Sequence, residues 1–517
     1  MRTPPPPTHA PSRQSRLVLR PALSPALSLI LGLAGCAVGP DFQKPAVPGT
    51  APGYTRESAA APSPTLNEEQ ATDPQAEVSG RWWTLFGSEK LDALVERALR
   101  TNPTIESADA ALRGAQENVA AQRGFFFPTV QAQYSPSRQR NAVGTIAPTL
   151  TSGAPVYTLY TAQLAISYSP DVFGLNRRQV ESLEAQELST RAELQAAAVT
   201  LETNVVAAVL QRAILEAEIA ATNQIIAEER DALKRLTRQL ETGYAGRLDV
   251  AAQEAILANA EAGLPPLERQ LEQTLDLLGA LIENDPSHPI PDIALEELSL
   301  PDKLPLSLPS RLVEQRPDVQ AALGQLHAAV AGVGVATADL LPQFPISAAY
   351  GGASTRMSDL FRPDNVFWSI VDNATATLFD GGTLLARRRA AQAGADQALA
   401  TYKLTVVQAL QNVADTLYAL ETDGRAMKAA LRAESAAKVS LDLTKRQVDT
   451  GYANYLALIA AQANYQQAVL ARLQARGTWF GDTASLFQAL GGGWWRPDAP
   501  DLSKTGAAGD STAKSSG

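Results

Sequence analysis

Few residues in this chain could do covalent or acid–base chemistry, and one of them stands apart by its setting. The single cysteine, Cys36, ends the run Leu33-Ala34-Gly35-Cys36. Ahead of it lie Arg2, Arg13, Arg16 and Arg20 with no acidic residue, and then an apolar stretch from Ala22 through Leu31. A basic region, an apolar stretch and small residues make an export signal, and an ordinary cut after small residues is the simplest reading. A thiol at this place has a further use. It matches a bacterial lipobox, in which the sulfur carries a diacylglycerol and the amine freed by cleavage takes another acyl chain. The sequence therefore predicts a signal peptide over 1–35 and lipidation of Cys36. Covalent diacylglycerol and acyl chain on Cys36 are the only added groups expected; no cofactor and no metal are. A lone cysteine also rules out an internal disulfide, in a compartment that would permit one.

Catalytic constellations are missing. There are three histidines: His9 within the signal, His288 in a Pro-rich loop and His327 in a helical stretch. No Cys/His metal spacing, phosphate-binding glycine loop or nucleophile elbow accompanies them. The expectation is a protein that is not an enzyme. A pI near 5.1 and a formal charge of −10, nearer −14 once the four signal arginines are gone, exclude a nucleic-acid partner, which needs a basic face. No apolar run of about 20 residues follows the signal, so a transmembrane helix is not expected. Aromatic residues make up only 6% of the chain, and long stretches are dominated by Ala, Leu, Gln and Glu. That blend suits long helices that approach one another closely.

The elements behind these residues come in two copies. Asn102-Pro103 and Arg316-Pro317 each open an Ala-rich helical stretch that ends in an apolar pair and a proline, Pro128 or Pro342. Farther on, Arg238-Gln239-Leu240-Glu241-Thr242-Gly243-Tyr244-Ala245 returns as Arg446-Gln447-Val448-Asp449-Thr450-Gly451-Tyr452-Ala453. A match of that length marks tandem repeats. The first copy reads as a helix over 91–123, strands over 129–140 and 156–172, a long helix over 175–241, a turn, and a helix over 248–281. The second reads as 310–340, strands 344–352 and 366–379, and helices 384–449 and 456–490. The organisation expected is a signal over 1–35, a lipidated N-terminal and belt segment over 36–90, repeats over 91–281 and 310–490 separated by a linker over 282–309, and a C-terminal belt segment and tail over 491–517.

The strands alternate. Tyr160, Ala162, Leu164, Ile166 and Tyr168 share one face, and Thr161, Gln163, Ala165, Ser167 and Ser169 the other. An apolar outside and polar inside over about 10 residues suit a transmembrane barrel with a wet interior, although a sheet packed on a soluble core alternates in the same way. Four strands cannot close a barrel, and open edges are not tolerated in lipid. Two copies of the chain would give eight strands and a filled interior, whereas three would give twelve and room for a lumen. The long helical stretches, roughly 100 Å each at 1.5 Å per residue, fit rods folded back at Gly243 and Gly451.

In this order the motifs resemble the outer-membrane factors of tripartite efflux systems, in particular the TolC/OprM/NodT-like lipoprotein branch. The resemblance rests on Val38-Gly39-Pro40-Asp41-Phe42, Arg81-Trp82-Trp83, Arg316-Pro317-Asp318-Val319, Leu378-Phe379-Asp380-Gly381-Gly382 and Leu490-Gly491-Gly492-Gly493-Trp494. It implies an α+β membrane protein: a homotrimeric twelve-stranded β-barrel, four strands per chain, continued by a periplasmic twelve-helix α-barrel of coiled hairpins. It also implies an outer-membrane location in a Gram-negative bacterium, to which Ala37 after the cysteine conforms. The implied partners are outer-membrane lipid, a periplasmic adaptor protein and a proton-driven inner-membrane transporter. The same channel would serve type I protein secretion, and a poreless coiled-hairpin adaptor lipoprotein is a third reading. The tips Gly243, Tyr244, Ala245, Gly246 and Gly451, Tyr452, Ala453, Asn454 would dock the adaptor. The carboxylates that ring the gate in this family fall on Ala457 and Ala460 here, which leaves Arg446, Asp449, Tyr452 and Tyr455 as gate candidates. Arg177-Arg178 and Arg387-Arg388-Arg389 are read as facing anionic membrane groups or as ordinary solvated turns.

Overall fold

The computed structural model describes residues 37–46, 70–73, 77–140, 156–283, 289–305 and 314–502. The lipidation expected at Cys36, and His9 and His288, lie outside the described residues. In chain order the elements are β1 (Ala71–Asp73), α1 (Glu89–Thr101), α2 (Pro103–Gly124), β2 (Thr129–Arg140), β3 (Val156–Tyr168), α3 (Leu175–Glu241) and α4 (Arg247–Leu281). They continue with β4 (Lys303–Pro305), α5 (Pro317–Ala338), β5 (Ile346–Ser354), β6 (Val366–Asp372), α6 (Thr383–Asp449) and α7 (Tyr455–Ala489). Corresponding helices of the two repeats have equal lengths: 22 residues in α2 and α5, 67 in α3 and α6, and 35 in α4 and α7.

The chain divides into two compact units, each drawn from both repeats. The first contains Gly124–Arg178, Gly334–Ala386 and the described residues before Asp41. Its centre is an antiparallel sheet of order β2-β3-β5-β6. Several expected boundaries move, and proline or local bonding accounts for most of the shifts. β3 stops at Tyr168, before Pro170, and not at 172; β5 starts at Ile346, after Pro345, and not at 344. Proline has no N–H to give to a ladder. β5 runs on to Ser354 because that residue still pairs with Tyr160. β6 ends at Asp372 and not at 379; beyond it only an isolated bridge joins Thr375 to Gln343.

The second unit is built on helices. The single helix expected over 91–123 is two, α1 and α2, because Asn102 adopts extended backbone before Pro103. The Asn102 side chain holds the break, accepting from Thr104 N (2.9 Å) and donating to Leu281 O (2.8 Å). The larger core gathers Trp82, Trp83, Phe86, Leu91 and Leu94 against Val205, Val209, Phe480 and Phe487, and Trp82 stacks on Phe487 at 5.2 Å. Elsewhere helices touch almost backbone to backbone: a Cβ on Gly324 would sit 2.9 Å from Ala185 O. α5 is the one described helix long and apolar enough to cross a membrane. Half of it is buried, and its Val319, Ala322 and Leu326 pack against Tyr402, Val406 and Ala409 of α6.

Two carboxyl groups in this unit are out of place at neutral pH. Glu202 accepts from Trp82 Nε1 (3.0 Å) inside the core, and burial pushes its pKa up to about 8. Asp423 of α6 is raised to about 7 by burial and by the neighbouring Asp482 of α7. An acid whose folded pKa exceeds its unfolded value holds its proton better when folded, so stability is lost as pH rises from the unfolded value toward the folded one. For Glu202 that window is about 4.5 to about 8. Glu202→Gln keeps an acceptor for Trp82 and removes the titration. It should raise the thermal unfolding midpoint clearly at pH 8 and little at pH 4.5; an equal shift at both would reject the burial argument.

Candidate functional site

The sheet presents one continuous apolar face. Register pairs Val130 with Ile166, Ile166 with Ala348, and Ala348 with Ile370; a second row runs Ala132, Leu164, Tyr350, Trp368. Directly opposed residues share a face, so these rows form one apolar surface across all four strands. It is open to the surroundings, Trp368 being 72% and Ile370 70% exposed. Gln131, Gln133, Thr161, Gln163, Ser347 and Ser369 fall on the opposite face, where Gln163 donates to Gln133 at 3.1 Å. Phe367 and Val371 break the rule by lying on the polar side. Asp372, a seeming flaw on the apolar face, lies opposite Ile346 at the margin of the sheet and not within the apolar band. Both outer strands, β2 and β6, have one edge unpaired among the described residues.

The junctions from strand to long helix are built differently in the two repeats. Asp171 accepts from the backbone N–H of Asn176 and Arg177 (2.9 Å each) at the start of α3. Asp380 does the same for Gly382 (2.8 Å) and Leu384 (2.7 Å) before and at the start of α6, and those N–H bonds hold its carboxyl below the usual carboxylate range. Arg177 is paired with Asp171 at 3.2 Å, and buried Arg178 donates to Val38 O at 3.1 Å. Arg177 keeps a third of its side chain exposed, and Arg178 is buried. They tie down the segment that follows Cys36, where Gly39 passes so close to Gly334 that a Cβ would meet its Cα at 2.5 Å. Arg387 and Arg389 remain exposed.

The two helical turns are superimposable in their bonding. Tyr244 N and Ala245 N donate to Gln239 O at 2.8 and 3.2 Å; Tyr452 N and Ala453 N donate to Gln447 O at the same two distances. Gly243 and Gly451 take φ of +82° and +76°, where a side chain costs roughly 1–2 kcal/mol. Asp249 accepts from Gly246 N (3.0 Å), and Asn454 from Ala457 N (2.9 Å), to start the returning helices. Tyr244 and Tyr452 are 87% and 89% exposed.

Of the gate candidates, Arg446, Asp449 and Tyr452 are exposed, as are Ala457 and Ala460. Tyr455 is half-buried, and its hydroxyl donates to Gln253 Oε1 at 3.3 Å. It thereby joins a cluster that the residue pattern did not reveal. Glu229, 1% exposed, accepts from Gln253 of α4 and from Gln466 of α7 (2.5 Å). Burial and then the Glu229 charge raise the Tyr455 pKa, with Arg235 opposing. The repeat held a clue, since the positions matching Glu229 and Gln253 are Ala437 and Ala461. His327 is structural: it stacks on Phe42 at 4.2 Å and meets Glu181 at 3.0 Å. Trp494 donates to Gln315 O at 2.6 Å and packs edge-on with Trp495. Among the described residues no three His, Cys, Asp or Glu side chains gather into a group able to hold a metal.

Comparison with known proteins gives this geometry its context. A family model described as "Outer membrane efflux protein" matches residues 94–282 and 308–492. The pyoverdine export outer membrane protein OpmQ of Pseudomonas aeruginosa is 30% identical over 423 residues, covering 80% of this chain and 87% of that protein. OprJ of the same organism is 27% identical, covering 91% of this chain and 95% of OprJ. The toluene efflux pump outer membrane protein TtgF of Pseudomonas putida is 27% identical over 91% of this chain and 96% of its own length. Among solved structures, the outer-membrane channel OprN superimposes with a TM-score of 0.81 at 27% identity, covering 89% of this chain and 100% of OprN.

Removing the carboxylate from the cluster should loosen the turns. Glu229→Ala takes its acceptor from part-buried Gln466 and leaves buried Gln253 only the backbone oxygen of residue 229, at a cost of about 2 kcal/mol, which would raise local opening by roughly 30-fold. Trypsin cleavage at Arg247 and Arg446 is the readout, with Glu241→Ala, an exposed change, as the control. Unchanged cleavage would show that the cluster does not hold the turns.

Proposed function

From the premise that this chain belongs to the outer membrane efflux protein family and is an outer-membrane efflux channel, we propose that three copies join edge to edge into a twelve-stranded barrel. The observation that carries this is the exposed apolar face bounded by two unpaired edges. In hydrocarbon every backbone N–H and C=O needs a partner, so β2 of one copy must meet β6 of the next. Two copies would leave no lumen; three make a barrel wide enough to conduct. The polar face, with Gln131, Gln133, Thr161 and Gln163, then lines a water-filled passage. The long helices of three copies form a twelve-helix periplasmic tunnel.

Such a duct is passive. Amides and hydroxyls along the lumen offer little chemical selectivity, so the choice of cargo rests with an inner-membrane, proton-driven transporter. Relatives named for pyoverdine and for toluene align with 80% and 91% of this chain, which supports small-molecule cargo delivered from a common apparatus. A periplasmic adaptor docks on Gly243–Gly246 and Gly451–Asn454, where small residues leave the backbone accessible. Lipid on Cys36 anchors the N-terminus to the outer membrane. The gate lacks the family's acidic ring, since alanines stand at 457 and 460, and is formed around Arg446, Asp449, Tyr452 and Tyr455.

Purified protein in a planar bilayer should give stepwise single-channel current, and its native mass should correspond to three chains. A monomer without current would remove the duct and favour a poreless adaptor. Without a carboxylate ring there is no focused negative potential to draw divalent cations. Cobalt ions should therefore block this channel weakly, and the A457D/A460D variant should become cobalt-sensitive. Strong block of the unaltered protein would mean that other carboxylates, Asp449 first among them, make the ring.

A further inference from the structure

The apolar face of the sheet is not the same at its two ends. At the end where β3 and β6 lead toward the long helices, the face closes with Tyr168 and Asp372. At the distal end, Arg138 and Arg140 of β2 lie opposite Thr158 and Val156, in the same alternate set as Val130, Ala132 and Tyr134. Two arginines therefore stand on the apolar face, one to two turns of the pleat beyond its last aromatic row.

The connection between β5 and β6 adds two more. It folds back over this same face. Gly352, opposite Ala162 and Val366, has its missing Cβ position occupied by the loop, with Leu360 O only 2.0 Å away. Tyr134 Oη reaches Met357 Sδ at 3.8 Å. Leu360 is buried by this folding, while Met357 and Phe361 stay 62% and 71% exposed. Phe361 borders an apolar cleft with Ala132, Tyr134, Leu164 and Tyr350. Arg356 and Arg362 flank these two apolar side chains in sequence. Arg362 is paired with Asp359 at 3.3 Å; Arg138, Arg140 and Arg356 are exposed and have no ion pair among the described residues.

A chain of net charge −10 thus collects four arginines at one rim of its apolar face, against Asp359 and Asp364. The residues 141–155 that join β2 to β3 contain no charged side chain. Guanidinium groups beside exposed apolar side chains, at the end of an apolar band, match a ligand with phosphates above several acyl chains. We propose that this rim binds lipid A, the phosphorylated, multiply acylated glycolipid of the outer leaflet of such membranes. Arg138, Arg140, Arg356 and Arg362 take its phosphates, and Met357 and Phe361 lie among its acyl chains. The inference rests on the outer-membrane reading above. On the trimeric reading, β2 of one copy lies antiparallel to β6 of the next, which brings Arg138 and Arg140 beside the neighbouring copy's Arg362 and completes a four-arginine site at each seam.

The test is native mass spectrometry of the purified full-length protein in detergent, counting adducts after addition of lipid A, its dephosphorylated form or phosphatidylglycerol. Lipid A should be retained on the order of tenfold better than either other lipid, and the R138Q/R140Q/R356Q/R362Q variant should lose that preference. Equal retention of phosphatidylglycerol, equal retention of dephosphorylated lipid A, or an unchanged preference in the variant would each overturn the proposal. If the fourfold variant does not assemble, R138Q/R140Q and R356Q/R362Q make the same comparison separately, each with a several-fold loss expected. Single-channel current in phosphatidylcholine bilayers, run on the same samples, keeps the two readings apart. A variant that conducts normally but has lost lipid A supports the site, whereas an unaltered protein that never conducts counts against the duct and leaves the adduct comparison to stand by itself.

Discussion

A sheet edge is a row of N–H and C=O groups that must find partners, and in hydrocarbon neither water nor side chains can supply them. β2 and β6 are two such edges, and between them lies a face exposing Val130, Tyr350, Trp368 and Ile370. In water that face would be a liability, and in lipid the edges would be. Only a closed ring of several copies satisfies both demands. On the proposed trimeric reading the chain is one segment of a wall, and four strands per copy make a wide barrel reachable with few copies.

The helical part solves a different problem, that of running very long helices side by side beyond the reach of its one large hydrophobic core. Small residues let them approach, as where Gly324 meets Ala185 and Ser189. Larger side chains are concentrated in one region, around Trp82, Phe86, Phe480 and Phe487. Away from it, contacts between hairpins include buried polar groups such as Glu229, which must be fully bonded to be tolerated. Gln253 and Gln466 supply that bonding from two different helices.

The two repeats share a backbone plan yet spend their polar residues differently. Helix lengths and turn hydrogen bonds agree, down to the donors at Tyr244 and Tyr452. At the strand-to-helix junctions the first repeat uses Arg177 and Arg178 to secure the N-terminal segment, whereas the second leaves Arg387 and Arg389 exposed. Alanines, Ala437 and Ala461, stand in the second repeat at the places that match Glu229 and Gln253. The two repeats share a scaffold, and single side chains make the halves unequal.

What was legible from sequence was whatever depends on local period and local stiffness. Alternation in β2 and β3, the lengths of α3 and α6, the turns at Gly243 and Gly451, and the repeat itself follow from spacing, because a strand, a helix and a left-handed turn each constrain residues only a few positions apart. Several of the boundaries that moved did so beside prolines, at Asn102-Pro103, Pro170 and Pro345, whereas β5 and β6 also shifted at Ser354 and Asp372, where pairing across the sheet decides the end. Tertiary structure alone decided the rest. The strand register, the folding of 355–365 over Gly352, the burial of Arg178 and the meeting of Glu229 with Gln466, 237 residues away, join positions that share no pattern. Such contacts depend on which surfaces meet once the chain has folded, and no local spacing encodes that.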